Sequence, residues 1–149
     1  MGRRPRQPGF RRTEQQAMKS IMIGAGGVLG ALARYGIGVV AGVPATFPYA
    51  TLIANLFGCL LLGWLIETLR LRRSPQWMRD VFGTGMIGAF TTFSTFSLET
   101  VNLVDSWHLG LAVFYVLVSV WGGLLLGGVG YKLARAMFGK YGQQEGTII

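Results

Sequence analysis

The sequence predicts an all-α membrane protein with four membrane-spanning helices. Of its 149 residues 51% are hydrophobic and only 13% are charged, whereas a soluble domain usually carries about 25% charged residues. Four apolar stretches reach the roughly 20 residues that a helix needs to cross a hydrocarbon core of about 30 Å. We expect these helices, predicted helices 1 to 4, at about residues 19–42, 49–70, 79–102 and 108–134.

The segments outside these helices are two polar tails. Residues 1–18 are rich in Arg, Gln and Pro and poor in apolar residues, a composition typical of a disordered tail along a membrane surface. Residues 138–149 form a C-terminal tail. We therefore predict a single four-helix transmembrane domain over residues 19–137, with no internal repeat.

Lysine and arginine are distributed unevenly along this basic chain, whose net charge is +8. All of the 14 except Arg34 lie at or before the start of predicted helix 1, around the loop between helices 2 and 3, or at and beyond the end of helix 4. With four crossings these segments share one side, so the positive-inside rule predicts cytoplasmic termini in a multi-pass plasma membrane protein. Anionic lipid headgroups explain the charge, and nucleic acid does not, because no folded soluble face gathers it.

Predicted helices 1 and 2 each contain one polar residue of interest. Arg34 lies well inside or near the far end of helix 1, where its guanidinium either snorkels to the interface or pairs with an internal carboxylate. The amide of Asn55 in helix 2 either donates to an anion or makes an interhelical hydrogen bond. Glycines at i,i+4 spacing, Gly26 with Gly30 and residues 123 with 127, predict close helix packing.

Predicted helix 3 is the most informative element. Gly83, Gly85 and Gly88 lead into residues 90–97, which are all Phe, Thr or Ser. Such a run poorly supports one continuous helix, so we predict a break near Gly88–Phe93. A membrane tolerates the freed backbone groups only where they are buried in protein or line an ion path. The break therefore predicts a binding site.

Downstream of this break, aromatic and hydroxyl side chains lie on adjacent faces. Phe93 and Phe96 are spaced i,i+3, while Thr92, Thr95 and Glu99 are spaced i, i+3 and i+7. Aromatic rings have positive edges that attract a small anion weakly, and hydroxyls replace hydrogen bonds lost with hydration. Two Phe residues at this spacing usually face lipid or core, but the neighbouring hydroxyls favour a pore.

Predicted helix 4 adds Tyr115 and Ser119 at i,i+4 spacing. This hydroxyl stripe lines the same path or, taken alone, belongs to helix packing. No serine has an evident base and no pair of carboxylates lies within the membrane, so an enzyme is not expected. The function classes that remain are transport and structural scaffolding.

Three segments together resemble the Fluc/CrcB family of fluoride channels: residues 26–35, 51–58 and 88–96, the last being highly specific. The resemblance covers about residues 20–135. It implies a passive fluoride-selective channel, an antiparallel dual-topology homodimer with two pathways, in which each pair of Phe rings comes from both subunits. The residues it implies along the pathways are Asn55, Phe93, Ser94, Thr95, Phe96, Tyr115 and Ser119, with Arg34 near an entrance and Glu99 near one end.

The resemblance also implies a structural sodium ion at the dimer interface. Backbone carbonyls of Gly88 and Thr91 from both subunits would hold it. Hard cations prefer such oxygen ligands. A cation there would lower the electrostatic cost of bringing anions into the protein and would fasten the subunits together.

One feature departs from the family pattern. Dual topology is easiest when Lys and Arg are balanced between the two ends, whereas here they favour one orientation. The partner is therefore either a second copy or an oppositely oriented paralogue. The alternative functions are a small multidrug-type cation transporter of similar four-helix antiparallel architecture, which should carry a carboxylate in its first helix, and a non-transporting assembly factor.

Overall fold

The computed structural model describes residues 8–42 and 46–139, with side chains described from residue 13 onward except at residue 41. This part of the chain contains helices and no strand. Four of its stretches are long and apolar enough to cross a membrane, at residues 13–40, 49–71, 76–105 and 109–138, which confirms the predicted all-α, four-span architecture. The elements are α1 (Pro8–Ala41), α2 (Tyr49–Leu71), α3 (Gln76–Met78), a π-helix (Arg79–Ile87), α4 (Gly88–Phe90), α5 (Ser94–Asp105) and α6 (Leu109–Phe138).

Helix α1 begins earlier than the sequence pattern predicted. Residues 8–18, expected as part of a disordered tail, are helical, and residues 1–7 lie outside the described ranges. Proline is tolerated in the first turn of a helix, and the following Glu, Gln, Ala, Met and Lys residues are strong helix formers. Since residues 13–20 are exposed, local propensity rather than burial extends the helix. At the other end, α6 runs to Phe138, and residues 140–149 of the expected tail are outside the described part.

The third span is not a uniform α-helix. Its first half contains nine residues of π-helix, in which the Gly88 N–H reaches back five residues to the Gly83 carbonyl. Glycines on both helices let the π-helix and α1 approach until their backbones touch. A Cβ on Gly85 of the π-helix would meet the Ile23 carbonyl, and a Cβ on Gly30 of α1 would overlap the Met86 carbonyl. The sequence pattern did not predict this π-helix.

A second close contact joins α2 and α6. A Cβ on Gly63 would overlap the Gly127 carbonyl, and a Cβ on Gly130 would overlap the Leu60 carbonyl. Lipid gives helices no hydrophobic drive to associate, so small residues that allow backbone contact supply the attraction. The fold thus consists of two helix pairs, α1 with the π-helix and α2 with α6, with α5 lying on α6.

Candidate functional site

The helical part of the third span ends at Phe90 and resumes at Ser94. Thr91 is extended, with φ −81° and ψ 156°, and both its N–H and its hydroxyl bond back to the Ile87 carbonyl. Helix α2 comes close at this level, because a Cβ on Gly58 would overlap the Thr91 methyl group. The non-helical residues are therefore enclosed by α2 on one side.

Asn55 of α2 holds this segment in place. Its Nδ2 donates to the Thr92 carbonyl at 2.9 Å, and its Oδ1 accepts from the Thr92 N–H at 2.8 Å. Both backbone groups of one non-helical residue are thus satisfied by a single side chain, as a low-dielectric environment demands. Of the two roles left open for Asn55, the structure has the interhelical hydrogen bond, and one Nδ2 hydrogen remains for a further acceptor.

Three hydroxyl groups gather at the start of α5. The Thr92 Oγ1 lies 3.1 Å from Thr95 Oγ1 and 3.3 Å from Ser94 Oγ, and it accepts from the Thr95 N–H at 3.2 Å. Thr92 therefore also accepts one N–H of the first turn of α5, in addition to joining the other two hydroxyls. The positive end of a helix and several O–H donors share one location, a combination suited to an anion.

Phe93 and Phe96, predicted to line a path, lie next to this cluster of three hydroxyls. The Phe93 and Phe96 ring centroids are 5.8 Å apart, and Phe96 packs on Tyr115 with centroids 5.0 Å apart. Phe93 is 80% exposed, so the described residues of one chain leave most of its ring uncovered. The aromatic row runs from the exposed surface at Phe93 into the core at Tyr115, which is fully buried.

A half-buried carboxylate, Glu99, joins three helices beyond Phe96. Glu99 accepts a hydrogen bond from the Thr51 hydroxyl at 2.8 Å and another from the Tyr115 hydroxyl at 2.8 Å. The sequence pattern singled out Glu99 and Tyr115 but not their pairing, and Thr51 was not among the predicted site residues. The available signal was that Thr51 precedes Asn55 by one helical turn and so shares its face.

Ser119 lies one turn beyond Tyr115 on α6. Its Oγ is buried and makes no hydrogen bond to the described residues. Ser119 is therefore near the same core as Tyr115, but no described residue forms a hydrogen bond with its hydroxyl. Such a group is available to a ligand.

Arg34 opens onto a cleft beside the interrupted segment. Its Nε donates to the Ala89 carbonyl at 3.3 Å, so the guanidinium satisfies the end of α4. The cleft has a volume of about 470 Å³ and is lined by α1, the start of α2 and the hydroxyl-bearing residues Thr92 and Thr95. Arg34 is half-buried and is directed to a backbone carbonyl, an arrangement that neither of the two predicted alternatives included.

A family model described as "CrcB-like protein, Camphor Resistance (CrcB)" matches residues 21–131. Fluoride-specific ion channel FluC 1 of a Bacillus cereus strain is 45% identical over 124 residues, 81% of this chain and 90% of the relative. The chain belongs to the CrcB family. Other CrcB relatives are FluC 1 of Desulfitobacterium hafniense, 44% identical over 72% of this chain and 96% of its own, and FluC 2 of Geobacillus kaustophilus, 40% identical over 79% and 94%.

Membership in the CrcB family decides two of the sequence-based expectations. The matched range contains every predicted site residue from Arg34 to Ser119. The multidrug transporter alternative is wrong, because CrcB relatives covering most of the chain are named fluoride-specific ion channels. With four apolar helices, this CrcB chain is a multi-pass membrane protein, which in bacteria means the plasma membrane.

Proposed function

We propose that this chain is the subunit of a passive, fluoride-selective channel that exports cytoplasmic fluoride and lowers its toxicity. The observation that carries the proposal is the double hydrogen bond between Asn55 and Thr92. It keeps the interrupted segment inside the protein and so gathers the hydroxyls of Thr92, Ser94 and Thr95. A fluoride ion leaving water there exchanges hydrogen bonds from water for hydrogen bonds from hydroxyls.

The aromatic row accounts for passage rather than tight binding. The edges of Phe93 and Phe96 carry partial positive charge and attract an anion weakly. A lysine in the same place would hold the anion. The row continues from Phe93 through Phe96 to Tyr115, so the two phenylalanine rings lead to a phenolic O–H at the buried end.

Glu99 sets a condition on this path. The Thr51 and Tyr115 hydroxyls both donate to its carboxylate, and a hydroxyl has a single proton to donate. For either hydroxyl to bind fluoride, the Glu99 side chain must first move away from it. Glu99 therefore acts on the path by releasing or retaining these two donors.

The second subunit belongs to the proposal. Phe93 is 80% exposed, and the cleft beside Arg34 is open, which supports covering by a partner in the membrane. The proposed partner is an antiparallel copy, so that Phe93 of each copy enters the other. Because thirteen basic residues favour one orientation, an oppositely oriented paralogue is the alternative partner.

A break of the third span and a sodium ion at it are also part of the proposal. The Thr92 N–H, which would bond the Gly88 carbonyl in an α-helix, bonds Asn55 instead, and Thr91 is extended. The carbonyls of Gly88 and Thr91 are thus suited to a hard cation. Among the described residues no group of three or more His, Cys, Asp or Glu side chains could hold a metal. When bound, sodium supplies positive charge that offsets an entering anion.

The driving force needs no pump. Hydrogen fluoride enters a cell as a neutral acid and dissociates in the less acidic cytoplasm, which traps fluoride. An interior-negative potential favours anion exit by about 2.3 kcal/mol per charge per 100 mV. A passive selective leak therefore lowers internal fluoride.

Fluoride efflux from liposomes containing only this purified protein tests the proposal, with chloride efflux measured in parallel. We expect fast efflux of fluoride and none of chloride. Phe93→Ile and Phe96→Ile should each abolish it, because an aliphatic side chain has no positive edge. Phe82→Ile, which changes a half-exposed Phe of the π-helix, is the matched control and should conduct normally.

Three other results would each contradict one part of the proposal. Equal fluoride and chloride efflux would contradict selectivity. Unchanged efflux in both variants would remove the aromatic row from the path. No efflux from the wild-type protein alone would contradict the homodimer.

A further inference from the structure

The end of the molecule where α2 and α6 finish carries a cluster of arginines arranged around one buried acid. Glu67 is 2% exposed, and its carboxylate lies 3.5 Å from Arg70 Nη1 and 3.6 Å from Arg135 Nε. The guanidinium of Arg72 lies over the Phe138 ring, 4.4 Å from its centroid. None of these residues takes part in the proposed fluoride path.

Glu67 orients two guanidinium groups without using up their donors. The Arg70 and Arg135 side chains remain 68% and 61% exposed, and each guanidinium has five N–H donors in a rigid fork. Arg135 gives one further bond, from Nη1 to the Tyr131 hydroxyl at 3.3 Å. The remaining donors belong to largely exposed side chains, and a guanidinium fork matches the oxygens of a phosphate.

An apolar stripe leads away from Arg135 along α6. Trp121, Leu124, Tyr131 and Arg135 are separated by three, seven and four residues, so they share one face of the helix. The Trp121 and Leu124 side chains are largely exposed. Gly128 lies between Leu124 and Tyr131 on this face, and a Cβ there would meet nothing within 4 Å. The stripe therefore contains a shallow notch.

We propose that this end of the molecule is a binding site for one anionic phospholipid. Arg70 and Arg135 hold the phosphate, and an acyl chain lies along Tyr131, Leu124 and Trp121, passing over Gly128. Charge complementarity selects an anionic headgroup. The apolar stripe, which begins one turn from the phosphate donors on a membrane-length helix, selects a lipid over a soluble phosphate.

Native mass spectrometry of the detergent-solubilised protein tests this site, with dioleoyl phosphatidylglycerol as the probe. Dioleoyl phosphatidylcholine and inorganic phosphate are the comparison ligands. Arg70→Gln and Arg135→Gln should each lower phosphatidylglycerol affinity about fivefold, the effect of removing one basic residue near an anionic headgroup. Arg79→Gln removes the same charge from an exposed arginine of the π-helix and should leave the affinity unchanged.

The apolar half of the site has its own variant. Leu124→Asn should weaken phosphatidylglycerol binding while leaving the circular dichroism spectrum and the thermal midpoint in phosphatidylcholine unchanged. Arg135→Lys keeps the charge and the pairing with Glu67 but removes the fork. It provides a folded variant in case Arg135→Gln does not fold, and it should bind phosphatidylglycerol more weakly than the wild type.

Three results would overturn the proposal. Equal loss in all three Gln variants would indicate diffuse attraction rather than a site. Inorganic phosphate competing at the affinity of the lipid would indicate a soluble anion site. An unchanged lipid affinity in Leu124→Asn, accompanied by loss of the dimer, would indicate that a second copy covers the stripe.

Discussion

The contacts between the helix pairs and the polar centre of the molecule are built in opposite ways. Along the two glycine seams, defined as the α1 contact with the π-helix and the α2 contact with α6, backbones touch without side chains between them. At the polar centre, Asn55 and Glu99 bridge helices by hydrogen bonds of 2.8–2.9 Å. In a membrane the first kind of contact fixes the shape, and the second satisfies polar groups that the proposed function requires.

This difference predicts different consequences of mutation. A side chain added at a seam meets a backbone that has no room to move, so the helix pair must separate. A side chain changed at the polar centre leaves the helices packed but deprives a polar group of its hydrogen-bond partner. Folding should therefore be most sensitive at the seams, and conduction most sensitive at the centre.

The largest effect is expected for Gly30→Ala. The new Cβ would overlap the Met86 carbonyl, and relief requires α1 to move away, at a cost of about 4 kcal/mol, above the usual range for overpacking because the overlap is with backbone. The measurement is unfolding in mixed detergent, followed by circular dichroism. Gly36→Ala on the same helix has open space around it and should cause no loss of stability, with a gain of up to about 1 kcal/mol because alanine is the better helix former. Equal stability of the two variants would contradict the seam.

Asn55→Leu should come next. It leaves the Thr92 N–H and carbonyl unpaired, which costs about 2–4 kcal/mol for two part-buried groups. It should also abolish fluoride efflux, because nothing then holds the hydroxyls of Thr92, Ser94 and Thr95 in place. Asn102→Leu on α5 changes an exposed asparagine and is the control. If Asn55→Leu kept the wild-type rate of efflux, the non-helical segment between Phe90 and Ser94 would not need Asn55 to hold its position.

Removing one donor to Glu99 should have a smaller effect. Tyr115→Phe and Thr51→Val each break one 2.8 Å hydrogen bond, at a cost of about 1–2 kcal/mol, and each should slow fluoride efflux without altering selectivity. Tyr49→Phe is the control for loss of a phenolic hydroxyl outside this group. If the double variant is no slower than either single variant, the two hydroxyls act as a unit.

The smallest effect is expected at the basic end. Glu67→Gln removes two ion pairs whose arginine partners are largely exposed, so the loss of stability should be below about 1 kcal/mol and should shrink in high salt. Fluoride efflux should be unchanged. A loss as large as that of Asn55→Leu would mean that charge pairing, rather than glycine contact, holds α2 against α6.

The sequence predicted the elements that depend on local pattern. Hydropathy located four spans, and the α2 bounds differ from prediction by one residue. The i,i+3 spacing of Phe93 and Phe96 placed both rings together, and the i,i+4 glycines at 26 and 30 face a neighbouring backbone. These features follow from helical periodicity, which a single segment contains in full.

The features that escaped prediction depend on which helices become neighbours. The pairing of Asn55 with Thr92 spans 37 residues, and that of Thr51 with Glu99 spans 48. No periodicity within one segment identifies such a partner. The early start of α1 reflects helix propensity outside the apolar run, which hydropathy does not measure. The π-helix lies against α1, and hydropathy does not predict such a contact between helices.

The π-helix also determines where the chain can lose a residue. In α2, deleting one residue rotates everything beyond it by about 100° and turns the Asn55 face away from the third span. In the π-helix, a deletion converts bonds that reach back five residues, such as Gly88 to Gly83, into bonds that reach back four, as in an ordinary α-helix. Both flanking helices then keep their hydrogen-bonding frames. Natural length variation within this span should therefore concentrate between Arg79 and Ile87.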